Sequence, residues 1–447
     1  MVDQIKGAGA RCGTGAHAPL HGVKVVELTS VLMGPWACQI LGDFGADVIK
    51  VEPPTGDSTR GIGPSRNPGM SAFFLNLNRN KRSIALDLKT KKGYDAFLSI
   101  VKEADVLVYN VRPQAMKRLN LDYETLKELN PRLIHVGAFG FGQDGPYAQK
   151  PAYDDLIQGL TALPALSADV SDGVPRYLPV TIVDRTVALH VVNAVLAALL
   201  DQRTSGQGQA IEIPMFETMA QYVLGDHLQG HTFLPPSGRM RYDRLLVQER
   251  RPYKTKDGYV CVLVYNDRHW KAFCGLMGRP ELWNTDPRLI DIRTRTQHIR
   301  ELYGMVADAM ATKTTEEWMR LLEEADIPAN PLHTPESLLD DPHLQTVGFF
   351  GTSEHPSEGL LKTMQIPGRW SRTPPDVRRL APRLGEHSLE ILRETGMDEV
   401  AIRSLLEDGG VVQSANISGN RHDNESSSGA SVSRQQHQAK GEEGGTV

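Results

Sequence analysis

The chain has 447 residues, of which 40% are hydrophobic and 23% charged, a composition typical of a soluble globular protein with two or three domains. A formal net charge of −5 gives no support for nucleic-acid binding. The longest apolar run, residues 187–200, is shorter than a membrane span, so no membrane association is predicted.

The two ends of the chain are predicted to lie outside the folded part. Residues 1–18 lack the apolar core of a secretory signal, and we expect a flexible segment and a cytoplasmic protein. The same segment is poor in acidic residues, so a mitochondrial transit peptide remains an alternative. Residues 409–447 are rich in Ser, Gly, Gln, Asn and Glu without apolar periodicity, which predicts a disordered tail.

Strand and helix patterns alternate through the first part of the chain. Strands are predicted at residues 24–28, 47–52, 82–88, 105–110 and 132–139. Helices are predicted between them at residues 35–44, 91–104, 114–119 and 123–129. This alternation indicates a doubly wound parallel sheet, in which ligands bind beyond the C-terminal strand ends.

The next stretch carries the residue on which the functional argument depends. A strand is predicted at residues 178–183, a buried helix at 187–200, a strand at 209–215 and a helix at 216–230. Asp184 then lies where a strand gives way to a helix. It is either a helix N-cap, a position that Asp prefers, or a carboxylate nucleophile that is already ionised near neutral pH.

A connector at residues 231–244 leads to a second set of elements. A hairpin with Asp257-Gly258 in its turn is predicted at residues 251–264. The remaining predictions are helices at 269–276, 297–311 and 315–325, an extended segment at 327–331, helical pieces at 338–341 and 343–347, and a helix at 388–395.

Other motifs are weak. Gly140, Gly142 and Gly145 match GxGxxG, but Pro146 and a polar stretch follow instead of a helix. We therefore prefer a turn that lets the backbone approach an acyl group, and keep a nicotinamide site as the alternative. His227 and His231 have no accompanying Glu, and no cysteine spacing indicates a metal, so no metal site is predicted.

Basic residues are frequent near the predicted strand ends. We expect part of this set to be solvated surface and part to face a nucleotide phosphate. The set comprises Arg60, Arg79, Lys81, Arg82, Lys89, Arg112, Lys117 and Arg118.

Several blocks of the sequence together resemble the class III CoA-transferase family. They include GADVIKVEPPTGDSTR, ADVLVYNVRPQAMKRL, PAYDDLIQG, VDRTVALHVVNAVLAALLDQ and LGEHSLEIL, in the order typical of that family. The family includes formyl-CoA transferase and carnitine CoA-transferase, and α-methylacyl-CoA racemase is a relative. The resemblance covers residues 19 to 395.

The resemblance implies an α/β fold with a large Rossmann-like domain and a smaller α+β domain. The implied boundaries are 19–230 for the large domain, 231–335 for the linker and small domain, and 336–408 for a C-terminal segment that returns to the large domain. Two such chains are expected to interlock as a homodimer.

The resemblance also implies the roles of individual residues. Asp184 takes the place of the catalytic aspartate. The positions that contact CoA are Val31, Leu32, Met33, Leu86, Lys89, Asn110, Val111, Ala115, Arg118 and Leu119. CoA enters as a substrate, and no further cofactor is expected.

Three features separate this chain from individual members. Leu32 stands where formyl-CoA transferase has a glutamine, and no glycine-rich loop follows Phe233. Tyr153 stands where the racemase has its catalytic histidine, and the pKa of a tyrosine is far from the value that suits a general base. We therefore favour transfer of CoA between acids over racemase-type proton transfer or a non-catalytic CoA-binding role.

The predicted mechanism uses Asp184 to form an acyl anhydride and then an aspartyl-CoA thioester. Backbone N–H groups near the helix start, or in the turn at Gly140 and Gly142, are candidates for holding the oxyanions. Asp154 is either a turn residue or a group that positions an acid or CoA near Asp184.

The identity of the acid is open at this stage. Arg185 and three connector arginines, Arg239, Arg241 and Arg244, are either surface residues or partners for a second carboxylate. The second possibility favours a dicarboxylic substrate such as succinyl-CoA.

Overall fold

The structure, a computed structural model, describes residues 18–414. Its strands are β1 (Lys24–Leu28), β2 (Asp47–Glu52), β3 (Lys81–Leu86), β4 (Val106–Tyr109), β5 (Ile134–Phe139), β6 (Ala210–Pro214), β7 (Tyr253–Lys254), β8 (Tyr259–Val262), β9 (Ala329–Pro331), β10 (Phe350–His355), β11 (Gly359–Met364) and β12 (Val411–Val412).

The helices of the first half are α1 (Met33–Asp43), α2 (Ala72–Leu75), α3 (Lys91–Lys102), α4 (Pro113–Arg118), α5 (Tyr123–Leu129), α6 (Asp154–Leu160), α7 (Leu163–Asp169), α8 (Ile182–Ser205) and α9 (Met215–His227). Those of the second half are α10 (Asp267–Leu276), α11 (Leu282–Thr285), α12 (Ile292–Gln297), α13 (Ile299–Met310), α14 (Thr315–Glu324), α15 (Pro335–Leu338), α16 (Pro342–Thr346), α17 (Ser388–Glu394) and α18 (Glu399–Glu407).

A seven-stranded sheet forms the centre of the fold. Its strand order is β12-β3-β2-β1-β4-β5-β6, and β1 to β6 pair in parallel. This confirms the predicted parallel α/β sheet. The order reverses between β1 and β4, and that reversal is the switch point at which doubly wound sheets bind ligands.

Both faces of the sheet are covered, because successive strand residues point to opposite sides. Val25 belongs to a hydrophobic cluster shared with α1 and α8, whereas Val26 belongs to a cluster shared with α3 and α18. Strands buried on both faces consist almost entirely of apolar residues, which is why their positions are readable from sequence.

The segment before Asp184 differs from the prediction. Residues 178–183 do not form a strand; α8 begins at Ile182 and runs for 24 residues, so Asp184 lies in its first turn. The side chain of Val180 is 55% exposed, and an extended segment without a neighbouring strand has no ladder to join. The N-cap is Thr181, so the interpretation of Asp184 as an N-cap was wrong.

Helix α8 is also longer than predicted. By length and apolar composition alone it is sufficient to cross a membrane, contrary to the prediction that no run reaches that length. Core helices of globular proteins meet the same criterion, and in this helix Val187, Val191 and Val195 are fully buried in the cluster shared with α1.

The second half of the chain has a core of its own. The predicted hairpin exists as β7 and β8, and the extended segment pairs with it as β9. Trp270, Phe273 and Trp318 pack together beneath this small sheet. The hairpin of β10 and β11 was not predicted.

The last described residues return to the large sheet. Helices α17 and α18 pack on the cluster that contains α3, and β12 pairs antiparallel with β3. The segment from 409 to 414 is therefore ordered, which corrects the predicted start of a disordered tail; the rest of that tail and residues 1–17 lie outside the described residues. The domain boundaries and the interlocked dimer stay predictions.

Candidate active site

The loops after β1 and β4 meet at the switch point of the sheet. The Asn110 side chain links them, because its Oδ1 accepts the Ser30 N–H at 3.1 Å and its Nδ2 donates to the Ser30 carbonyl at 2.8 Å. Asn110 thus fixes one loop against the other. Two of the predicted CoA positions, Val31 and Asn110, are brought together here.

A buried ionic network sets the shape of the loop after β1. Lys50 Nζ lies 2.9 Å from both Glu27 and Asp57 and donates to the Thr29 carbonyl at 3.1 Å. Asp57 also accepts the Val31 N–H at 3.3 Å. Val31 has a φ of 72°, a left-handed conformation that is unfavourable for a β-branched residue, and the network is what holds it.

This network was missed in the sequence, although a signal was present. Glu27, Lys50 and Lys81 interrupt strands that are otherwise apolar, and each of these side chains is fully buried. Lys81 pairs with Glu27 at 2.7 Å, so every charge in the group has a partner. Charged residues inside a buried strand indicate such pairing, because an isolated buried charge is too costly to keep.

The basic residues near the strand ends were expected either to be solvated or to face a phosphate, and four of them instead pair with carboxylates of the fold. Lys81 and Arg60 are buried against Glu27 and Glu52. Arg82 and Arg79 form ion pairs too, with carboxylates that include Asp47 and Asp43 respectively. The remaining members, Lys89, Arg112, Lys117 and Arg118, are exposed.

The side chains at the predicted CoA-contacting positions fall into buried, partly buried and exposed groups. The side chains of Leu32, Met33 and Leu86 are at most 5% exposed and belong to the core, so only their backbone can face a ligand. Lys89 and Arg118 are exposed. The partly buried positions are Val31, Asn110, Val111, Ala115 and Leu119.

Asp184 lies in the first turn of α8, next to a restrained arginine. The Arg185 guanidinium stands over the Trp36 ring at 4.7 Å, and Trp36 belongs to α1, which follows the loop after β1. The Trp36 N–H donates to the Leu32 carbonyl at 2.8 Å. The turn that carries Asp184 is therefore tied to the helix that starts at the switch point.

Asp154 holds the same turn from the side of α6. Its Oδ2 accepts the Asp184 N–H at 2.9 Å, and its Oδ1 accepts the Gln158 side-chain amide at 2.6 Å. Gln158 in turn accepts the Leu178 N–H at 2.9 Å. Asp154 thus serves as a cap for α8 supplied by another helix, and Gln158 is a positioning residue that the sequence analysis did not identify.

The environment of Asp184 raises the pKa of its carboxyl group to about 7. Burial is the largest cause, and the negative charge of Asp154 is the next, whereas Arg185 acts in the opposite direction. The expectation that Asp184 is already fully ionised near neutral pH was therefore wrong. Within residues 18–414, its carboxylate oxygens receive no hydrogen bond or ion pair.

The glycine turn packs against α9. The Gly142 N–H donates to the Glu217 carboxylate at 2.9 Å, so this donor is already engaged. A Cβ at Gly140 would stand 2.2 Å from the Ala152 Cβ, which shows that a side chain has no room there. Tyr153, beside Asp154, has a side chain that is 67% exposed.

The arginines considered for a second carboxylate have other partners. Arg239 and Arg241 pair with Asp243 and Asp169. Arg244 Nε donates to the Tyr303 hydroxyl at 3.1 Å. Among the described residues, no group of three or more His, Cys, Asp or Glu side chains could hold a metal ion.

Comparison with known proteins places this site in a family. The model of CoA-transferase family III matches residues 20–388. An acyl-CoA transferase of Fusarium pseudograminearum is 34% identical over 90% of each chain. A succinate–glutarate CoA-transferase of Agrobacterium fabrum is 32% identical over 84% of this chain and 95% of its own.

Solved structures agree with this result. An alanine mutant of Rv3272 from Mycobacterium tuberculosis superposes with a TM-score of 0.75 at 28% identity, covering 85% of this chain and 99% of that one. A CAIB/BAIF family protein from Brucella suis gives a TM-score of 0.70 at 30% identity, covering 85% of this chain and all of that one. The chain belongs to CoA-transferase family III and is a CoA-transferase.

Proposed function

We propose that the enzyme moves CoA from a dicarboxylyl-CoA, such as succinyl-CoA, to a carboxylic acid, with Asp184 as the nucleophile. The observation that carries the proposal is a partly buried carboxylate to which the described residues offer no hydrogen bond or ion pair. Such a group is costly to keep, and carboxylates with raised pKa values are concentrated at functional sites. The class of acid rests on relatives named succinate–glutarate and succinyl-CoA:glutarate CoA-transferase.

The first half of the reaction activates Asp184. Its carboxylate oxygen attacks the thioester carbonyl of the donor, the C–S bond breaks, and the CoA thiolate leaves a mixed anhydride behind. The thiolate then attacks the aspartyl carbonyl carbon. The C–O bond to the donor acid breaks, the donor leaves as a carboxylate, and an aspartyl-CoA thioester remains.

The second half repeats these steps with the acceptor. The acceptor carboxylate attacks the aspartyl thioester and releases the thiolate. The thiolate attacks the acceptor's carbonyl, and Asp184 is regenerated as a carboxylate. CoA is the only cofactor-like molecule that these reaction steps need, and it enters and leaves as part of the substrates.

The site geometry supports this role in two ways. The Asp154 cap fixes the backbone of Asp184, so the nucleophile has a defined direction of attack. Arg185, held over Trp36, provides a positive charge that acts on the Asp184 carboxyl group, where the anhydride would form. The Gly142 N–H would become an oxyanion donor only after Glu217 moves, so we assign no such role to it.

Trapping of the covalent intermediate tests the proposal. The enzyme is incubated with succinyl-CoA, treated with hydroxylamine or borohydride, and digested for mass spectrometry. We expect modification at Asp184 in the wild type, none at that site in Asp184→Ala, and unchanged modification in Asp155→Ala. Full transfer activity in Asp184→Ala would contradict the mechanism.

Racemase-type proton transfer is the second candidate. A carboxyl group with a pKa of about 7 is suited to general acid–base chemistry near neutral pH, which favours it. Tyr153 in the place of the racemase histidine speaks against it. Incorporation of solvent deuterium at the acyl α-carbon, without transfer of CoA, would select this alternative.

We also propose that the enzyme is a cytoplasmic homodimer. Exposed apolar side chains surround the helices near Asp184, and a monomer would leave them in water. They include Tyr153, Leu156, Leu160, Leu189 and Tyr222. Light scattering of the purified full chain should give twice the chain mass.

A further inference from the structure

A cavity of about 440 Å³ lies between the connector and the small sheet. Arg244, Arg250 and Arg251 line it together with residues of β7, β8 and β9. Its volume is in the range typical of sites for small organic molecules. No step of the proposed transfer uses any of these residues.

The three arginines have no acidic partner in the described part of the chain. Arg244 is held by neutral groups, since its Nε donates to the Tyr303 hydroxyl and its guanidinium stands over the Tyr265 ring at 5.1 Å. Arg250 and Arg251 are exposed on the turn before β7 and form no ion pair within residues 18–414.

Arg250 and Arg251 follow each other in the chain, and both line the cavity. Tyr253 also lines it, and burial raises the pKa of its hydroxyl, whereas the charges of Arg250 and Arg251 lower that pKa and the charge of Glu249 adds to the rise. The nearest acidic residue in sequence, Glu249, lies 3.5 Å from Arg300 and does not line the cavity. No aspartate or glutamate is among the lining residues.

The rest of the lining is apolar. Pro252, Val262, Leu263 and Pro328 form part of the wall. Three cations above an apolar wall suit a ligand with more than one negative charge and a short hydrocarbon body. Arginine is the side chain that matches the planar, two-oxygen geometry of a carboxylate.

We propose that this cavity is a second binding site of the enzyme, for a small dicarboxylic acid. The ligand's carboxylates pair with Arg244, Arg250 and Arg251, and its methylene groups lie against the apolar wall. Binding here does not require Asp184, so the proposal goes beyond the transfer reaction and stands or fails separately from it.

Cys261 provides the readout, because its partly exposed thiol lines the same cavity. The full-length enzyme is alkylated with a maleimide, and the rate at Cys261 is followed by peptide mass spectrometry. Cys38 and Cys274 are buried and report any general unfolding. Glutarate is the probe, and butyrate and inorganic phosphate at equal ionic strength are the comparison anions.

We expect glutarate to slow alkylation of Cys261 in the wild type and equally in Asp184→Ala. In the double variant Arg250→Gln, Arg251→Gln, the half-protecting concentration should rise at least about tenfold, as expected for loss of charge-assisted hydrogen bonds. The matched control Arg279→Gln removes an exposed arginine outside the cavity and should leave protection unchanged. Both variants change exposed side chains and should fold.

Three outcomes would overturn the proposal. The first is no protection by glutarate in the wild type while CoA transfer proceeds, which leaves the proposed function intact. The second is protection that survives in the double variant. The third is equal protection by phosphate, which would indicate a general anion effect. Loss of transfer activity with normal protection would count against the proposed function alone.

Discussion

The charge of Asp154 should set the pH at which the enzyme becomes active. In Asp154→Asn the side-chain oxygen can still accept the Asp184 N–H, so that bond of the cap is kept, while the negative charge and the hydrogen bond from the Gln158 amide are lost. The negative charge of Asp154 is the second-largest cause of the raised pKa of Asp184. We therefore expect the variant to have a lower pKa at Asp184.

The size of the expected pKa change can be bounded from the total rise in the pKa of Asp184 and from the repulsion between two carboxylates. The pKa of Asp184 rises from 3.8 to about 7, and burial contributes more to that rise than Asp154 does. As an order of magnitude, two like charges about 6 Å apart repel by about 3 kcal/mol at an effective dielectric constant of about 20, which corresponds to about 2 pH units. We expect about one pH unit.

The assay is the pH dependence of kcat/KM for succinyl-CoA and glutarate, which reports ionisations of the free enzyme. The wild type should show a rise in rate with an apparent pKa of about 7, because only the ionised carboxylate attacks. In Asp154→Asn that rise should move to about pH 6, giving about fivefold more activity at pH 6 and little change at pH 8.

Two controls make the result specific. Asp155→Asn should move the profile less, because Asp155 is the weakest of the contributing charges. Arg185→Gln should move it to higher pH, because the positive charge of Arg185 lowers the pKa of Asp184. The reasoning is refuted if the wild-type rate is independent of pH between 6 and 8. It is also refuted if Asp154→Asn loses activity equally at all pH values.

Three further predictions concern stability. Asp184→Asn should raise the free energy of unfolding by about 1 to 3 kcal/mol at pH 8 and not at pH 4. The reason is that the carboxyl group has a higher pKa in the folded than in the unfolded chain, so its contribution to wild-type stability is lost as pH rises between about 4 and 7. Urea unfolding at both pH values tests this. Lys50→Met leaves the buried Asp57 without its cation and Glu27 with Lys81 alone, and should cost about 3 to 5 kcal/mol in the same assay; a cost below 1 kcal/mol would contradict the network. Gly140→Ala places a Cβ 2.2 Å from Ala152 and should lower the melting temperature, whereas Gly225→Ala, with open space around it, should not.

The parallel sheet was predictable from sequence because its strands are buried on both faces. Such strands are short apolar runs, and helical patterns separate them, as at Lys24–Leu28 and Asp47–Glu52. The hairpin of β10 and β11 was missed because its residues are mostly partly or fully exposed, so its composition carries little apolar signal.

The start of α8 could not be predicted for a different reason. Residues 178–183 have the composition of a strand, but a strand also needs a neighbour, and sequence periodicity does not show whether one exists. The prediction of the site around Asp184 was incomplete because it, too, depends on contacts that only the fold creates. Gln158 and Asp154 reach the α8 backbone through the fold, and no local spacing in the sequence links them to Leu178 or Asp184.

The arrangement of the two neighbouring aspartates supports Asp184, and not Asp154, as the proposed nucleophile. The start of α8 and the Gln158 amide direct their N–H groups at Asp154, which accepts two hydrogen bonds. The carboxylate of Asp184 receives none from residues 18–414, so attack on an acyl group breaks no existing bond of that side chain. In the proposed mechanism the two carboxylates take different roles because their surroundings differ: Asp154 fixes the backbone, and Asp184 is the nucleophile. Packing of α8 against α1 supports this division, because the buried valines of α8 stabilise a helix start that holds an unpaired carboxylate.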